Sequence, residues 1–342
     1  MIVNNAWYLA AWSSEVGSKP LARRICNEPV VLFRTADGTA AALLDSCAHR
    51  GAPLSLGTVV GNGIRCNYHG VVFDCAGACV QIPNQPLIPP QARVKAFALV
   101  EKDQMLWIWI GDPAAADASL IVDYPFHGDP RWPCRQTLAT VAADYLLIAD
   151  NLLDATHLAY VHGNTVGGAN PAVHMHAESS LQATPQGLRY ERLMRDAPAP
   201  PAYSACVSFP GNIDRWQEFD FIAPATVLQY SGGVPAGLDR RTATAPRFDM
   251  RIFHSATPAT DHSCYYFYSV ANGHHVDDPD ATRIICEQVD AAIVEDKLFI
   301  EAQQQRVQEL GEQRLFATAA DAARLMARRA VARYDRDHNP KA

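Results

Sequence analysis

Two short stretches constrain this chain more than anything else in it: "CAHRG" at residues 47–51 and "CNYHG" at residues 66–70. Each offers a cysteine and a histidine, Cys47 with His49 and Cys66 with His69, and each closes on a glycine. Thiolates and imidazoles are ligands for zinc or for iron–sulfur iron. Structural zinc sites usually begin with two cysteines and end with two histidines. One cysteine plus one histidine from each tip instead suits a [2Fe–2S] cluster, in which one iron takes both thiolates and the other both imidazoles. Gly51, Gly61, Gly63 and Gly70 permit tight loops and close backbone approach to cluster sulfurs. Cys75 and Cys79 follow closely but have no partner at ligand spacing, so they read as small apolar strand and turn residues.

The sequence around the motif reads as β-rich to about residue 112. "VVLFRT", "AALLD", "VVFD", "VKAFALVEK" and "MLWIWIGDP" are short apolar or alternating runs punctuated by Gly, Pro and Asp. "AAADASLIVDYP" reads as a connection, and a helical pattern begins at Asp144. A second strand-rich stretch covers roughly residues 180–270, in which "RDAPAPPA" and "SGGVPAGLDRRTATAP" read as surface loops. A long helix is expected from about Thr282 to Leu310, followed by a tail helix with a capping signal at Thr318.

At 342 residues the chain is long enough for about two domains. A net charge of −7 leaves no basic excess for phosphate neutralisation, which argues against a nucleic-acid binder. No apolar run approaches the roughly 20 residues of a membrane span, and no secretory signal opens the chain. Nine scattered cysteines, an odd number, do not make a secreted disulfide framework, so a cytoplasmic location is expected.

A second constellation lies in "DNLLDATHLAYVH". Asn151, Asp154 and His157 recur every three residues and share a helical face. His157 and His162 are five apart, about 140° round an ideal helix, so both reach one metal only if the helix ends or distorts between them. Two histidines and a carboxylate make the facial triad of non-haem Fe(II). The long C-terminal helix offers Asp296 on a stripe with Ile285, Val289, Ala292, Phe299 and Gln303, an apolar seam in which a carboxylate needs a partner. Glu295 lies on a neighbouring stripe, and periodicity leaves the choice between them open. In "RFDMRIFHSATP", Phe248, Met250, Ile252 and His254 alternate onto one strand face. His254 there reads equally well as a pocket residue or a satisfied core histidine. Arg240, Arg241, His174, His176 and the tail stripe Arg324, Arg328, Arg329 and Arg333 read by default as solvated surface residues.

Taken together, "NAWYLAAW", "CNEPVVLFR", "CAHRGAPLSLG", "CNYHG", "GDP", "DNLLDATHLAYVH" and "EDKLFIEAQQQ" resemble the Rieske non-haem iron oxygenases, in the branch of the aromatic-acid O-demethylases. The resemblance covers nearly the whole chain and weakens over residues 165–250 and in the tail. It implies an α+β protein: a small antiparallel β Rieske domain over residues 1–120, then a catalytic domain over 121–342 with an antiparallel sheet flanked by helices. By position, Cys47 and Cys66 are expected to hold one cluster iron, and His49 and His69 the other. His157, His162 and Asp296 are expected to hold mononuclear Fe(II), which selects Asp296 over Glu295. Asp154 is implied to bridge the cluster of one subunit to the iron of the next, hence a homotrimer, and Asn151 matches a polar position beside the iron. His254 aligns with a substrate-contacting histidine. The implied reaction uses O₂ and electrons from an NAD(P)H-dependent iron–sulfur flavin reductase to oxidise an aromatic acid. Methoxybenzoate demethylation with release of formaldehyde is the first reading, and ring-methyl hydroxylation is the alternative. A Rieske electron carrier without oxygenase activity is the rival of another class. One departure is visible: Val71 and Val72 follow "YHG" where many Rieske segments have Trp, which alters packing near His69 and leaves the ligand set intact.

Overall fold

The short apolar runs of the first hundred residues pair as antiparallel strands. The computed structural model describes residues 2–243, 246–311 and 315–339. Its backbone separates into two units: residues up to Asp123 together with Thr257–Asp261, and Tyr124–Ala256 together with the chain from His262 onward.

The first unit holds three small sheets. β1 (Ala6–Trp12), β10 (Leu99–Lys102) and β11 (Met105–Ile110) form one, in the order β1-β11-β10. β2 (Leu21–Ile25), β3 (Glu28–Arg34), β4 (Ala40–Leu44) and β9 (Ala96–Phe97) form a second. β5 (Thr58–Val60), β6 (Gly63–Arg65), β7 (Val72–Asp74) and β8 (Cys79–Gln81) form a third. β1 and β11 are buried along their whole length, which is why they carry unbroken apolar runs rather than alternation. Phe33, Leu43, Leu54, Ile64 and Phe73 make a core that also includes Cys47, Cys66 and Cys79, with Cys75 packed against it. Cys75 and Cys79 thus pack as apolar residues.

The second unit is built on a seven-stranded sheet in the order β12-β18-β17-β16-β15-β14-β13. The strands are β12 (Cys134–Val141), β13 (Glu178–Ala183), β14 (Gly187–Ala197), β15 (Ile213–Ile222), β16 (Thr226–Pro235), β17 (Phe248–Thr260) and β18 (Ser263–Asn272). The helices are α1 (Leu146–Leu152), α2 (Leu158–Val161), α3 (Pro171–Met175), α4 (Pro201–Cys206), α5 (Pro279–Leu310) and α6 (Ala322–His338). α5 starts three residues before the expected Thr282, because Asp278 caps it by accepting from Asp280 N at 2.9 Å and Pro279 takes its first position. Thr318 and Asp321 form the expected capping box ahead of α6.

Several expectations change. The "SGGVP" segment is the end of β16, with Ser231, Gly232, Gly233 and Val234 buried, and "RDA" ends β14 while "PPA" opens α4. Residues 244–245 of the same stretch lie outside the described residues. Buried Gly232 and Gly233 have closely packed surroundings in place of side chains: a Cβ on Gly232 would meet the Trp216 ring at 2.0 Å. His174 is buried and its Nε2 donates to Gly167 O at 3.1 Å, whereas His176 is exposed. Arg240 and Arg241 are committed to Glu218 and Asp239. The tail stripe is not a free solvated face: Arg328 binds both oxygens of Asp150, at 3.0 and 2.6 Å, and Arg333 donates to Thr184 O. On α5, Phe299 is 59% exposed and the buried stripe runs instead through Asp296, Ile300 and Gln304, following four-residue steps.

Candidate functional site

The two cysteine–histidine tips share one backbone design. After β4, Cys47 N donates to Ala52 O and Gly51 N to Cys47 O, both at 2.8 Å. After β6, Cys66 N donates to Val71 O and Gly70 N to Cys66 O, again both at 2.8 Å. Gly51 and Gly70 sit at φ of +71° and +76°, the left-handed turn that closes each tip. Cys47 and Cys66 lie inside the core and face each other, while His49 and His69 stand at the surface with ring centroids 4.5 Å apart. Burial raises the Cys47 thiol above its ordinary range, and the neighbouring Cys66 adds to the rise. Two thiolates in that place need a cation between them, and a thiol pair beside an imidazole pair fits the [2Fe–2S] donor set.

In the second unit the expected helix over 144–162 is broken twice. α1 ends at Leu152, and the Asp154 carboxylate accepts from Thr156 N and Oγ1 at 2.9 and 2.6 Å, which makes a turn. His157 and His162 then flank the single turn α2 as its N-cap and C-cap, and His162 leaves helical geometry at φ −110°, ψ 28°. This brings both imidazoles to Asp296, which the buried stripe of α5 carries at 8% exposure. His162 Nε2 lies 2.9 Å and His157 Nε2 3.4 Å from Asp296 Oδ1, and Asn151 Nδ2 donates to the same oxygen at 3.0 Å. One ligand atom from each of His157, His162 and Asp296 falls within 4.8 Å of the others.

The far nitrogens are held as well. His157 Nδ1 bonds the Asp154 carbonyl, and His162 Nδ1 bonds Glu295 Oε2 at 2.7 Å. Thr165 Oγ1 donates to the same Glu295 oxygen at 3.0 Å. Fixing Nδ1 aims the Nε2 lone pair inward, the outer arrangement that orients metal-binding histidines. Glu295, the rival carboxylate of the sequence reading, therefore stands behind His162 rather than beside Asp296. Burial lowers the pKa of His157 against the pull of Asp296; for His162 burial opposes, but Asp296 and Glu295 prevail and raise it. Two imidazoles, one carboxylate and their supports fit a mononuclear divalent iron with open positions.

A cavity of about 610 Å³, its mouth included, opens at this cluster. Leu158, Phe219, Met250, Ile252, Val289 and Ile293 give it apolar walls. His254 lines it, 2% exposed, with Nδ1 at 2.7 Å from Tyr266 Oη and Nε2 at 3.1 Å from Gln229 Oε1. Burial pushes its pKa down to about 3, so the ring is neutral. Both readings of His254 meet here: it is satisfied and it faces the pocket. Arg215, Gln217 and Gln229 also line the cavity. Sequence reading missed them because alternation on β15 and β16 marks a face without saying what that face meets. Among the described residues, no helix is long and apolar enough to cross a membrane.

Comparison with known proteins agrees with both halves. Residues 6–97 match the Rieske [2Fe-2S] domain, and residues 141–336 match the vanillate O-demethylase oxygenase C-terminal domain. A Comamonas testosteroni chain, provisionally named as an iron–sulfur subunit of the toluene-4-sulfonate monooxygenase system, is 41% identical over 94% of each chain. The vanillate O-demethylase oxygenase subunit of Pseudomonas sp. (strain HR199) is 32% identical, covering 97% of this chain and 95% of its own. The crystal structure of dicamba monooxygenase bound to 3,6-dichlorosalicylic acid superposes with a TM-score of 0.92 at 30% identity, covering 99% of both chains. A cluster-binding fold, a two-histidine carboxylate site and relatives of full length converge: the chain belongs to the Rieske non-haem iron oxygenases, as a terminal oxygenase component of the vanillate O-demethylase type.

Proposed function

We propose that this oxygenase oxidises a methyl carbon of an aromatic acid, with electrons from an NAD(P)H-dependent iron–sulfur flavin reductase, as a cytoplasmic homotrimer. The observation that carries the reading is the convergence of His157, His162 and Asp296 at the wall of a mainly apolar cavity. On this reading Cys47, His49, Cys66 and His69 hold the [2Fe–2S] cluster, in a Rieske domain of residues 1–120, and His157, His162 and Asp296 hold Fe(II), in a catalytic domain of residues 121–342. When bound, the mononuclear iron supplies the chemistry of O₂ activation.

The chain's own residues do the rest. Asn151 holds the Asp296 carboxylate in place, and Glu295 holds the tautomer of His162 with Nδ1 protonated. The apolar walls exclude water and keep the methyl carbon from wandering. His254 stays neutral, with its orientation fixed by Tyr266 and Gln229, as a substrate-positioning contact. Asp154 serves as the bridge to the cluster of a neighbouring subunit, supported by its own carbonyl, which accepts from His157 Nδ1. A trimer follows, because each cluster then serves a neighbour's iron.

O-demethylation of a methoxybenzoate is the first reading. Ring-methyl hydroxylation is the second, favoured by the higher identity with the chain named for toluene-4-sulfonate. Iron-loaded protein with a compatible reductase, NADH, methoxybenzoates and methylarenesulfonates tests both by mass spectrometry of products. Formaldehyde plus a phenol establishes the first, and a hydroxymethyl arene the second. Oxygen and NADH consumption without an oxidised aromatic product contradicts both.

A further inference from the structure

The cavity holds a positive charge that the ligand cluster does not explain. Arg215, on β15, lines the cavity at 2% exposure. Its Nη1 and Nη2 donate to the carbonyls of Gly167 and Val166 at 3.1 and 2.8 Å, and its buried Nε has no hydrogen-bond partner. The Tyr203 ring lies 5.1 Å from its guanidinium carbon. Arg192 on β14, 3% exposed, stands beside it and donates to Gln217 Oε1 at 2.9 Å and to His174 O at 2.8 Å. Gln217 is the next residue on the same face of β15 and also lines the cavity.

Among the described residues, neither guanidinium has a carboxylate within ion-pair distance, and each hydrogen-bond acceptor given above is neutral. The other buried arginine among the described residues, Arg23, does have one, in Glu15. His174, next to both, is held down to about 4 by burial and then by Arg215, and it contributes no counter-charge. A buried arginine is stable when paired, so a cavity that leaves this one unpaired is completed by an anion.

We propose that Arg215 is the specificity-determining residue that receives the anionic group of the substrate, a ring carboxylate or sulfonate, with Arg192 holding Gln217 as a second donor beside it. The planar guanidinium retains N–H groups for either anion. The metal-ligand set comes from α2 and α5 and Arg215 from the sheet, so a ring fixed by its acid on the sheet side presents a substituent toward the helices. This rests on the cavity being the substrate site.

Binding is measured on the metal-loaded holoenzyme with two anions, 4-methoxybenzoate and toluene-4-sulfonate, and their neutral counterparts 4-methoxybenzamide and toluene-4-sulfonamide. Wild type is expected to prefer an anion, and the better of the two names the acid. Arg215→Gln is expected to weaken that anion by about tenfold to a hundredfold, the range for one charge-assisted hydrogen-bonded contact, while the neutral partner changes little. Arg215→Lys is expected to recover part of the loss. Equal binding of charged and neutral forms to wild type, or an anion preference surviving in Arg215→Gln, overturns the role of Arg215 and leaves the cavity as the substrate site. Binding of none of the four to wild type overturns both readings.

Discussion

Glu295 stands behind the proposed iron-binding residues. Its carboxylate touches His162 Nδ1 and Thr165 but is not one of the three clustered groups that could hold a metal ion. Removing such an orienting partner typically weakens metal binding tenfold to a hundredfold. Glu295→Ala is therefore expected to lower Fe(II) affinity at the mononuclear site by about that factor, with the cluster spectrum unchanged, in an iron titration; unaltered affinity would deny Glu295 an orienting role. The buried histidines make a second prediction. His174 and His254 have folded pKa values of about 4 and about 3, below the ordinary 6.5. Each takes up a proton on unfolding before it can do so folded, so the unfolded state binds more protons between those values. Stability present above about pH 6.5 is lost as pH falls, by up to about 1.4 kcal/mol per pH unit for each group. Thermal melts from pH 7 to pH 4 are expected to show this decline, with a shallower slope for His254→Gln. A parallel slope would mean that this histidine is already protonated in the fold.

Helices and strands differ in how much of the site they disclosed. The stripe on α5 set Asp296 in an apolar seam where a carboxylate needs a partner, because a 32-residue helix keeps its period long enough to read, but it left Glu295 open, and only the family resemblance selected Asp296. α2 was harder. Five residues separate its two histidines, and only the turn made by Asp154 and Thr156 and the departure from helical geometry at His162 bring them together. Arg215 and Gln229 stayed hidden because β15 and β16 alternate in a way that marks a buried face without naming its neighbours. Val166–Gly167 illustrates a packing constraint of the same kind: a Cβ at Gly167 would lie 2.0 Å from Leu158 O and 2.9 Å from His162 O. Gly167→Ala is expected to push α2 outward, lower mononuclear iron occupancy and reduce the melting temperature by several degrees, about 2–4 °C for each kcal/mol lost in a domain of this size. Full iron occupancy in that variant would show that the loop yields without moving His162.

For the whole molecule, the motifs made the two-part plan legible, since the cysteine–histidine tips and the two-histidine carboxylate set fall in different parts of the chain. The sequence did not show that Thr257–Asp261, the tip of the β17–β18 hairpin, belongs with the first unit. There Cys26 N and Asn27 N donate to Pro258 O and Ala259 O at 2.7 and 3.0 Å, pairings between segments more than 200 residues apart that no local pattern encodes. Assembly is the scale at which Asp154 acts on the proposed reading. Asp154→Asn is expected to leave both metal sites filled and the oligomer intact by analytical ultracentrifugation, while reductase-driven turnover falls by at least about tenfold. Unchanged turnover would remove Asp154 from the electron path.

The most direct test of the central claim is a single turnover without any reductase. Metal-loaded protein is reduced chemically, freed of reductant, and mixed with an aromatic acid it binds and with ¹⁸O₂, and the product is identified by mass spectrometry. Wild type should form oxidised product, whereas His157→Ala, with its cluster spectrum intact, should form none. Product from His157→Ala, or its absence from fully loaded wild type, would contradict the assignment of oxygenation to the site of His157, His162 and Asp296.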